Sequence, residues 1–386
     1  MPDPPHQDCT NPLWPCAMTG AVACLAGFDD LAVIVHGSSG CYFYPASLLT
    51  APLHGTFLVE NEIIFGTEER LREVIDTVAG TREHVAVVTT CVPAILGEDL
   101  AGVAHDRDLL LVDAPGFLGD LEAGYHAALE AIRPAVDPNR PGVNIDGICL
   151  LDPFCRGNIQ EAQRLLTAAG GAVGTTFCSG PLGAAGRAAP FTVGTNPDLA
   201  SGVGEWCGSL LGLDAVAETF ERLAATCDGI DPSPVAHEIA EAEKRIEKAC
   251  DKYLRRFEPP RVAVFGECAY AAYAAETLER YLDAEIACIC SRNRPASPRR
   301  RIEQTTDFSR ISELITAGEP DLIIGSSYEQ TVRPEAAFVP LTPPVRGRVL
   351  LHARPLAGIE GTLRLLDDVL NACMDLRQSS GSQRPE

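Results

Sequence analysis

Lysine is nearly missing from this chain. Its 386 residues hold three, Lys244, Lys248 and Lys252, all within EAEKRIEKACDKYL at a spacing of four that sets them on one face of a polar helix. No Gly-Lys pair occurs, so there is no G-x-x-x-x-G-K-[ST] phosphate loop and the chain is not itself a P-loop ATPase. No lysine lies in an apolar setting suited to Schiff-base chemistry. Positive charge is scarce as a whole. With 31 basic against 53 acidic residues the formal charge is -22, which repels a phosphate backbone and argues against a nucleic-acid partner. Long apolar runs are missing too. No stretch approaches the ~18 apolar residues of a membrane span, and MPDPPHQDCTNPLWPC has neither a basic nor an apolar leader region. The expectation is a cytoplasmic protein without membrane contact.

Cysteine, by contrast, is plentiful. Fifteen cysteines in a reducing compartment do not form a disulfide framework when the chain is large enough for a real core. Most read as small buried hydrophobes and a few as metal ligands. The 46% hydrophobic and 22% charged composition describes a folded chain, and its length calls for two or three domains.

The pattern along the chain is strand, turn, helix, repeated. Expected strands are LAVIV (31–35), VAVVTT (85–90), LLLVDAP (109–115), GICLLDP (147–153), AVGTTF (172–177), RVAVFG (261–266), EIACIC (285–290), DLIIGSS (321–327) and RVLLHA (348–353). Nearly continuous apolar runs of this length suit strands covered on both faces, as in parallel sheets. Between them lie helical stretches such as TEERLREVIDTVAG, NIQEAQRLLTAAGG, AAYAAETLERYL and IEGTLRLLDDVLNACM. The fold class is therefore α/β, three Rossmann-like doubly wound units with parallel sheets. Their expected bounds are 1–140, 141–257 including a linking helix at 236–256, and 258–386 with a C-terminal helix and a disordered tail, RQSSGSQRPE. Ligands of such sheets bind beyond the carboxyl ends of the strands. HGSSGC, TTCVP, FCSGPLG and GSSYE stand at those ends.

Three cysteines share that kind of position. Cys16 precedes a helix in LWPCAMTGA, Cys41 follows the first strand and Cys91 the second. Adjacent strands deliver their ends to one rim, so Cys41 and Cys91 should be neighbours. Thiolates on short glycine-containing loops near helix N-termini hold iron-sulfur clusters; the other reading is inert burial. Three ligands are one short of a cubane's usual four. A non-cysteine ligand or a second subunit could supply the fourth, and the second option predicts a dimer.

The segments PCAMTGAVACLAGFDDLAVIVHGSSGC, ENEIIFGTEERLREVI, VVTTCVPAILGEDLAGV and VDAPGF resemble the nitrogenase component 1 superfamily, which includes the nitrogenase subunits, their scaffold relatives and nitrogenase-like tetrapyrrole reductases. The resemblance is specific over residues 16 to about 103 and weaker through NIQEAQRLLTAAGG, PDLIIGSSYE and PLAGIEGTLRLLDDVLNAC. It implies that Cys16, Cys41 and Cys91 ligate an iron-sulfur cluster, 4Fe-4S or larger, shared at a dimer interface. Gly40 would let the backbone approach that cluster, with Phe65 and Gly66 nearby. It also implies a homodimer, or a heterodimer with a related subunit, that takes electrons from a separate P-loop iron-sulfur ATPase. The absent Gly-Lys motif fits that division of labour.

The transfer stops at the family's larger metallocofactor. Cys155, Cys178, Cys207 and Cys268 stand in no context that matches its cysteine ligand, and the spacing after His352 departs from the family's pattern, which argues against dinitrogen reduction. One reading is a reductase of a small molecule or tetrapyrrole held between domains, such as the precursor of the nickel coenzyme of methanogens. Its candidate catalytic groups are His36, Glu98, Asp99 and His352, with Cys178 and Arg187 also in the cleft. The second is a scaffold for metallocluster assembly. The third is an α/β binding protein with unligated cysteines. The aromatic residues Tyr42, Phe43 and Tyr44 are expected to shield the cluster from water or to pack.

Overall fold

The computed structural model describes residues 13–107, 109–293, 301–349 and 351–381. Its described strands form three sheets, and every ladder in them is parallel. The first contains β1 (Leu31–His36), β2 (Leu53–Gly55), β3 (His84–Thr89) and β4 (Leu110–Asp113) in the order β2-β1-β3-β4. The second contains β5 (Val143–Asp146), β6 (Val173–Thr176), β7 (Phe191–Gly194) and β8 (Glu205–Ser209) in the order β6-β5-β7-β8. The third contains β9 (Arg261–Gly266), β10 (Glu285–Ser291), β11 (Glu303–Gln304), β12 (Leu322–Gly325) and β13 (Ala337–Pro340) in the order β11-β10-β9-β12-β13. Parallel pairing needs crossover connections, and the helices that supply them cover both faces. All six residues of β1 are buried, which is why LAVIVH reads as an unbroken apolar run.

One apolar core runs from Val143 to Cys373, joining the second and third sheets through the long helices Ser233–Leu254 and Gly358–Gly381. The first sheet packs into separate clusters on its two faces. Among the described residues no helix is long and apolar enough to cross a membrane.

Two expected strands are misplaced. GICLLDP is buried but irregular; the strand lies just before it, at Val143–Asp146. Its polar residues hid it. Asn144 is buried because its side chain donates to the Ala189 carbonyl (2.7 Å) and accepts from the amides of Thr175 (3.0 Å) and Ala189 (2.8 Å). Asp146 accepts from the Ser201 hydroxyl at 2.7 Å. The described residues of RVLLHA form no strand, and Val349 and Leu351 are exposed; the sheet edge beside β12 is taken by β13 instead. Of the tail RQSSGSQRPE, residues 377–381 continue the last helix, with Arg377 3.9 Å from Asp321, rather than being disordered. Residues 382–386 lie outside the described residues.

The rim of the first sheet is set by one close helix pair, Ala17–Leu25 against Leu121–Ile132. A β-carbon at Gly124 would lie 1.7 Å from the Ala17 carbonyl oxygen, and one at Gly20 would lie 1.9 Å from that of Leu121. Backbone therefore packs on backbone, a separation only glycine permits. Cys16 caps the first of these helices, so the contact also fixes where its thiol sits. Gly124→Ala should push the helices apart and cost about 1–3 kcal/mol, measured as a drop in the urea unfolding free energy. An unchanged midpoint would mean that the pair has slack.

Candidate functional site

Level register brings the carboxyl ends of the first sheet together: His36 pairs with Thr89, and Thr89 with Asp113. Each strand then turns into a short helical segment. Cys41 lies in the helix Ser39–Leu48 after β1, Cys91 opens the helix Cys91–Leu96 after β3, and Gly116 opens a 3-10 turn after β4. Cys16 arrives from the N-terminal side. It is held by Ala17 N–H donating to the Gly119 carbonyl (3.2 Å), by Tyr44 hydroxyl donating to the Leu13 carbonyl (2.8 Å), and by Trp14. The Trp14 indole donates to the Thr306 carbonyl at 2.8 Å, and the Arg292 guanidinium lies 3.8 Å above its ring. That cation–π contact ties the cysteine's segment to the third sheet.

The three thiols converge. A β-carbon at Gly116 would stand 3.2 Å from Cys91 Sγ and 3.4 Å from Cys16 Sγ, so both sulfurs rest against this one residue. Gly116 N–H donates to Cys91 Sγ at 3.1 Å. The Cys41 thiol, which accepts from the Ser38 hydroxyl at 3.7 Å, is pushed upward in pKa first by burial and then by Cys91 and Cys16 nearby. All three are half-buried, whereas most of the other described cysteines are buried. Gly116 was not singled out from sequence, although VDAPGF was; its role depends on sulfurs far away in the chain. Gly40 is exposed, and a β-carbon there would meet only Ser38 Oγ at 4.0 Å, leaving open space beside Cys41.

Apolar side chains rim this site. Phe43, Phe65 and Ile95 are 71%, 85% and 74% exposed, with Ile64, Leu96, Phe117 and Leu118 also open to solvent. Tyr42 turns inward, edge-on to Phe57 at 4.8 Å with its hydroxyl on the Leu53 carbonyl, and Tyr44 is held by Leu13. Two of the three aromatic residues after Cys41 therefore pack, and Phe43 alone projects outward.

Of the groups expected to donate protons, Glu98 and Asp99 share a cleft of about 440 Å³ with Asp113 and Phe117, and His36 and His352 do not line it. His36 is fully buried, its ring nitrogens 3.2 Å from Thr56 Oγ1 and 2.9 Å from Thr67 Oγ1. Thr67 hydroxyl donates to Glu98, and Thr67 N–H reaches Glu98 Oε1 at 2.7 Å, making a His36–Thr67–Glu98 chain beneath the Cys41 turn. Asp99 is exposed and accepts from Ala101 N–H at 3.0 Å. His352 and Arg187 are exposed, His352 on the connection after β13, and Cys178 is buried. None of these residues lines the cavity of about 20 Å³ where the three sheets meet, a volume that fits one water. That cavity is lined by Leu121 from the first unit, Asp152 and Asn196 from the second, and Glu267, Tyr270 and Leu341 from the third. Burial pushes the Asp152 carboxyl up to about 7, against a hydrogen bond from Tyr270 hydroxyl at 2.7 Å, and raises that of Glu267 as well.

Burial lowers the His36 pKa from 6.5 to about 4, so its folded form keeps the ring neutral. As pH falls from 6.5 to 4 the unfolded chain takes up a proton that the folded chain refuses, and stability falls by up to about 3 kcal/mol. His36→Gln should lose that part of the decline in urea titrations. Equal pH dependence in both proteins would mean that the native ring titrates normally.

Residues 16–190 and 202–374 match the family described as nitrogenase component 1 type oxidoreductase. The chain is 30% identical over 185 residues to the nitrogenase molybdenum-iron protein beta chain of Sinorhizobium fredii (strain NBRC 101917 / NGR234), covering 42% of this chain and 36% of that one. It is 28% identical over 156 residues to the nitrogenase iron-molybdenum cofactor biosynthesis protein NifE of Clostridium pasteurianum, covering 36% and 34%. The alignments thus span about a third of the length of these curated relatives. A solved structure described as "Nitrogenase Cp1 at pH 6.5" superposes with a TM-score of 0.81 at 17% identity, over 97% of this chain and 95% of that chain, a likeness of fold.

Proposed function

Since the chain belongs to the nitrogenase component 1 type oxidoreductase family, we propose that it is the electron-accepting component of a two-component reductase. The observation that carries this reading is the meeting of the Cys16 and Cys91 sulfurs at Gly116, with the Cys41 thiol near enough for both to raise its pKa, on an apolar rim. The donor set fits an iron-sulfur cluster: three soft sulfur ligands, a backbone N–H aimed at one of them, and open space beside Gly40. When bound, the cluster supplies one-electron acceptance and donation. The chain's own residues orient the thiols, donate a hydrogen bond to Cys91 sulfur, and leave the fourth ligand position to a partner.

That partner is a second copy or a related subunit. Large apolar side chains so open on one face are the composition of an interface core, and burial of Phe43, Phe65, Ile95 and Phe117 would cover the cluster from water. Ile95→Asp combined with Phe65→Asp should convert a dimer to a monomer in light scattering. An unchanged mass would move the interface elsewhere. Electrons would come from a separate P-loop iron-sulfur ATPase, which this chain's sequence does not contain.

The substrate would enter between the three units. Asp152, whose pKa burial pushes up to about 7, and Glu267, whose pKa burial also raises, line the cavity there and take the proton-donor role in place of Glu98, Asp99, His36 and His352. At about 20 Å³ the cavity holds no more than one water, so a substrate of any size requires it to open. The likeness to NifE favours a second reading, a scaffold on which a metallocluster matures.

Iron and sulfide analysis with EPR of anaerobically purified protein tests the cluster. The expected result is a brown protein whose signal is lost or altered in Cys41→Ala. A second, larger cluster transferable to an apo-enzyme would select the scaffold. An identical spectrum in the variant removes Cys41 from the ligand set.

A further inference from the structure

We propose that Cys24 and Cys178 form a redox-active pair that closes to a disulfide joining the first helix to the second sheet. The two sulfurs lie 3.0 Å apart, both fully enclosed. That is closer than non-bonded sulfurs ordinarily pack and longer than the bond of about 2.05 Å that would replace the contact. Backbone pairing explains the approach. Phe28 bridges Gly180, Asp29 N–H donates to the Gly180 carbonyl at 2.9 Å, and a β-carbon on Gly27 would lie 2.0 Å from the Cys178 carbonyl oxygen. The end of the helix Ala17–Leu25 is thus pressed onto the turn that follows β6.

The backbone of Cys178 adds an independent sign. Its φ of 53° lies in the left-handed region, where a residue with a β-carbon is strained and glycine is not. Cys178 also donates to the Tyr125 hydroxyl at 3.1 Å, and Tyr125 donates onward to the Ile148 carbonyl at 2.9 Å. Oxidation removes the thiol hydrogen but leaves Tyr125 its acceptor, so no buried donor is orphaned.

The reaction balances with a peroxide as oxidant. One sulfur attacks hydrogen peroxide, the O–O bond breaks and water leaves; the resulting sulfenic acid is then attacked by the second sulfur, forming S–S and releasing a second water. Two thiols are oxidised by two electrons and one peroxide is reduced. Burial raises the Cys24 pKa and makes thiolate scarce, so closure is slow and needs a small oxidant or a brief opening; the same enclosure shields the product from bulky reductants. The helix concerned begins beside Cys16, so closure would pin the segment that delivers one of the three rim thiols.

The test does not depend on a cluster being bound. Full-length protein purified anaerobically is exposed to hydrogen peroxide, unfolded in an alkylating agent, digested and analysed by mass spectrometry. The expected product is a cross-linked peptide pair containing Cys24 and Cys178, lighter than the two free peptides by two hydrogen atoms and separated by dithiothreitol. It should persist in Cys227→Ser and be missing from Cys24→Ser and Cys178→Ser, with circular dichroism showing that each variant is folded. The wild-type measurement decides the matter even if a variant fails to fold. Complete alkylation of both residues after an exposure that oxidises Cys16, Cys41 or Cys91, or a cross-link from Cys178 to Cys149, would overturn the proposal.

Discussion

Two sulfur atoms resting against one glycine organise the candidate cluster site. Gly116 lies against Cys16 and Cys91, where a β-carbon would be tight at 3.4 and 3.2 Å from their sulfurs, and it is delivered there by β4, the last strand of a sheet whose strand ends are level. Cys16 comes from the opposite direction, at the start of a helix locked to its neighbour through Gly20 and Gly124. The first sheet thus serves as a frame for sulfur, and one long apolar core is shared by the other two sheets.

Electrostatics separates two chemical regions. At the rim, the thiols are half-buried and bordered by exposed apolar side chains, a setting suited to soft metal ligation and to a partner surface. At the junction of the sheets, carboxyls from different units are enclosed together, and burial rather than a partner cation dominates their protonation. A reduction needs both electrons and protons. In the proposed account the rim handles the first and the junction the second, which would let each region be tuned without disturbing the other.

The strands of the first sheet were readable because both of their faces are covered, which leaves an uninterrupted apolar run in the sequence. The clustering of Cys41 and Cys91 followed from adjacent strand ends. Other features were beyond reach for a definite reason. Val143–Asp146 is buried through hydrogen bonds that Asn144 and Asp146 make to residues dozens of positions away, so its polarity disguised a central strand. RVLLHA had the composition of a strand, but the place beside β12 is taken by β13, and Val349 and Leu351 stay exposed. His36 stood in the right motif to suggest chemistry, yet Thr56 and Thr67 arrive from later segments and occupy both of its nitrogens. Asp152 and Glu267 carry no local signal; only the meeting of three sheets sets them around one cavity.

The most direct measurement is anomalous diffraction at the iron edge from crystals of anaerobically prepared protein. The expected result is iron density bonded to the sulfurs of Cys16, Cys41 and Cys91 beside Gly116, on a face covered by a second protein molecule. Three unligated thiols at that rim, with iron missing or bound elsewhere, would contradict it.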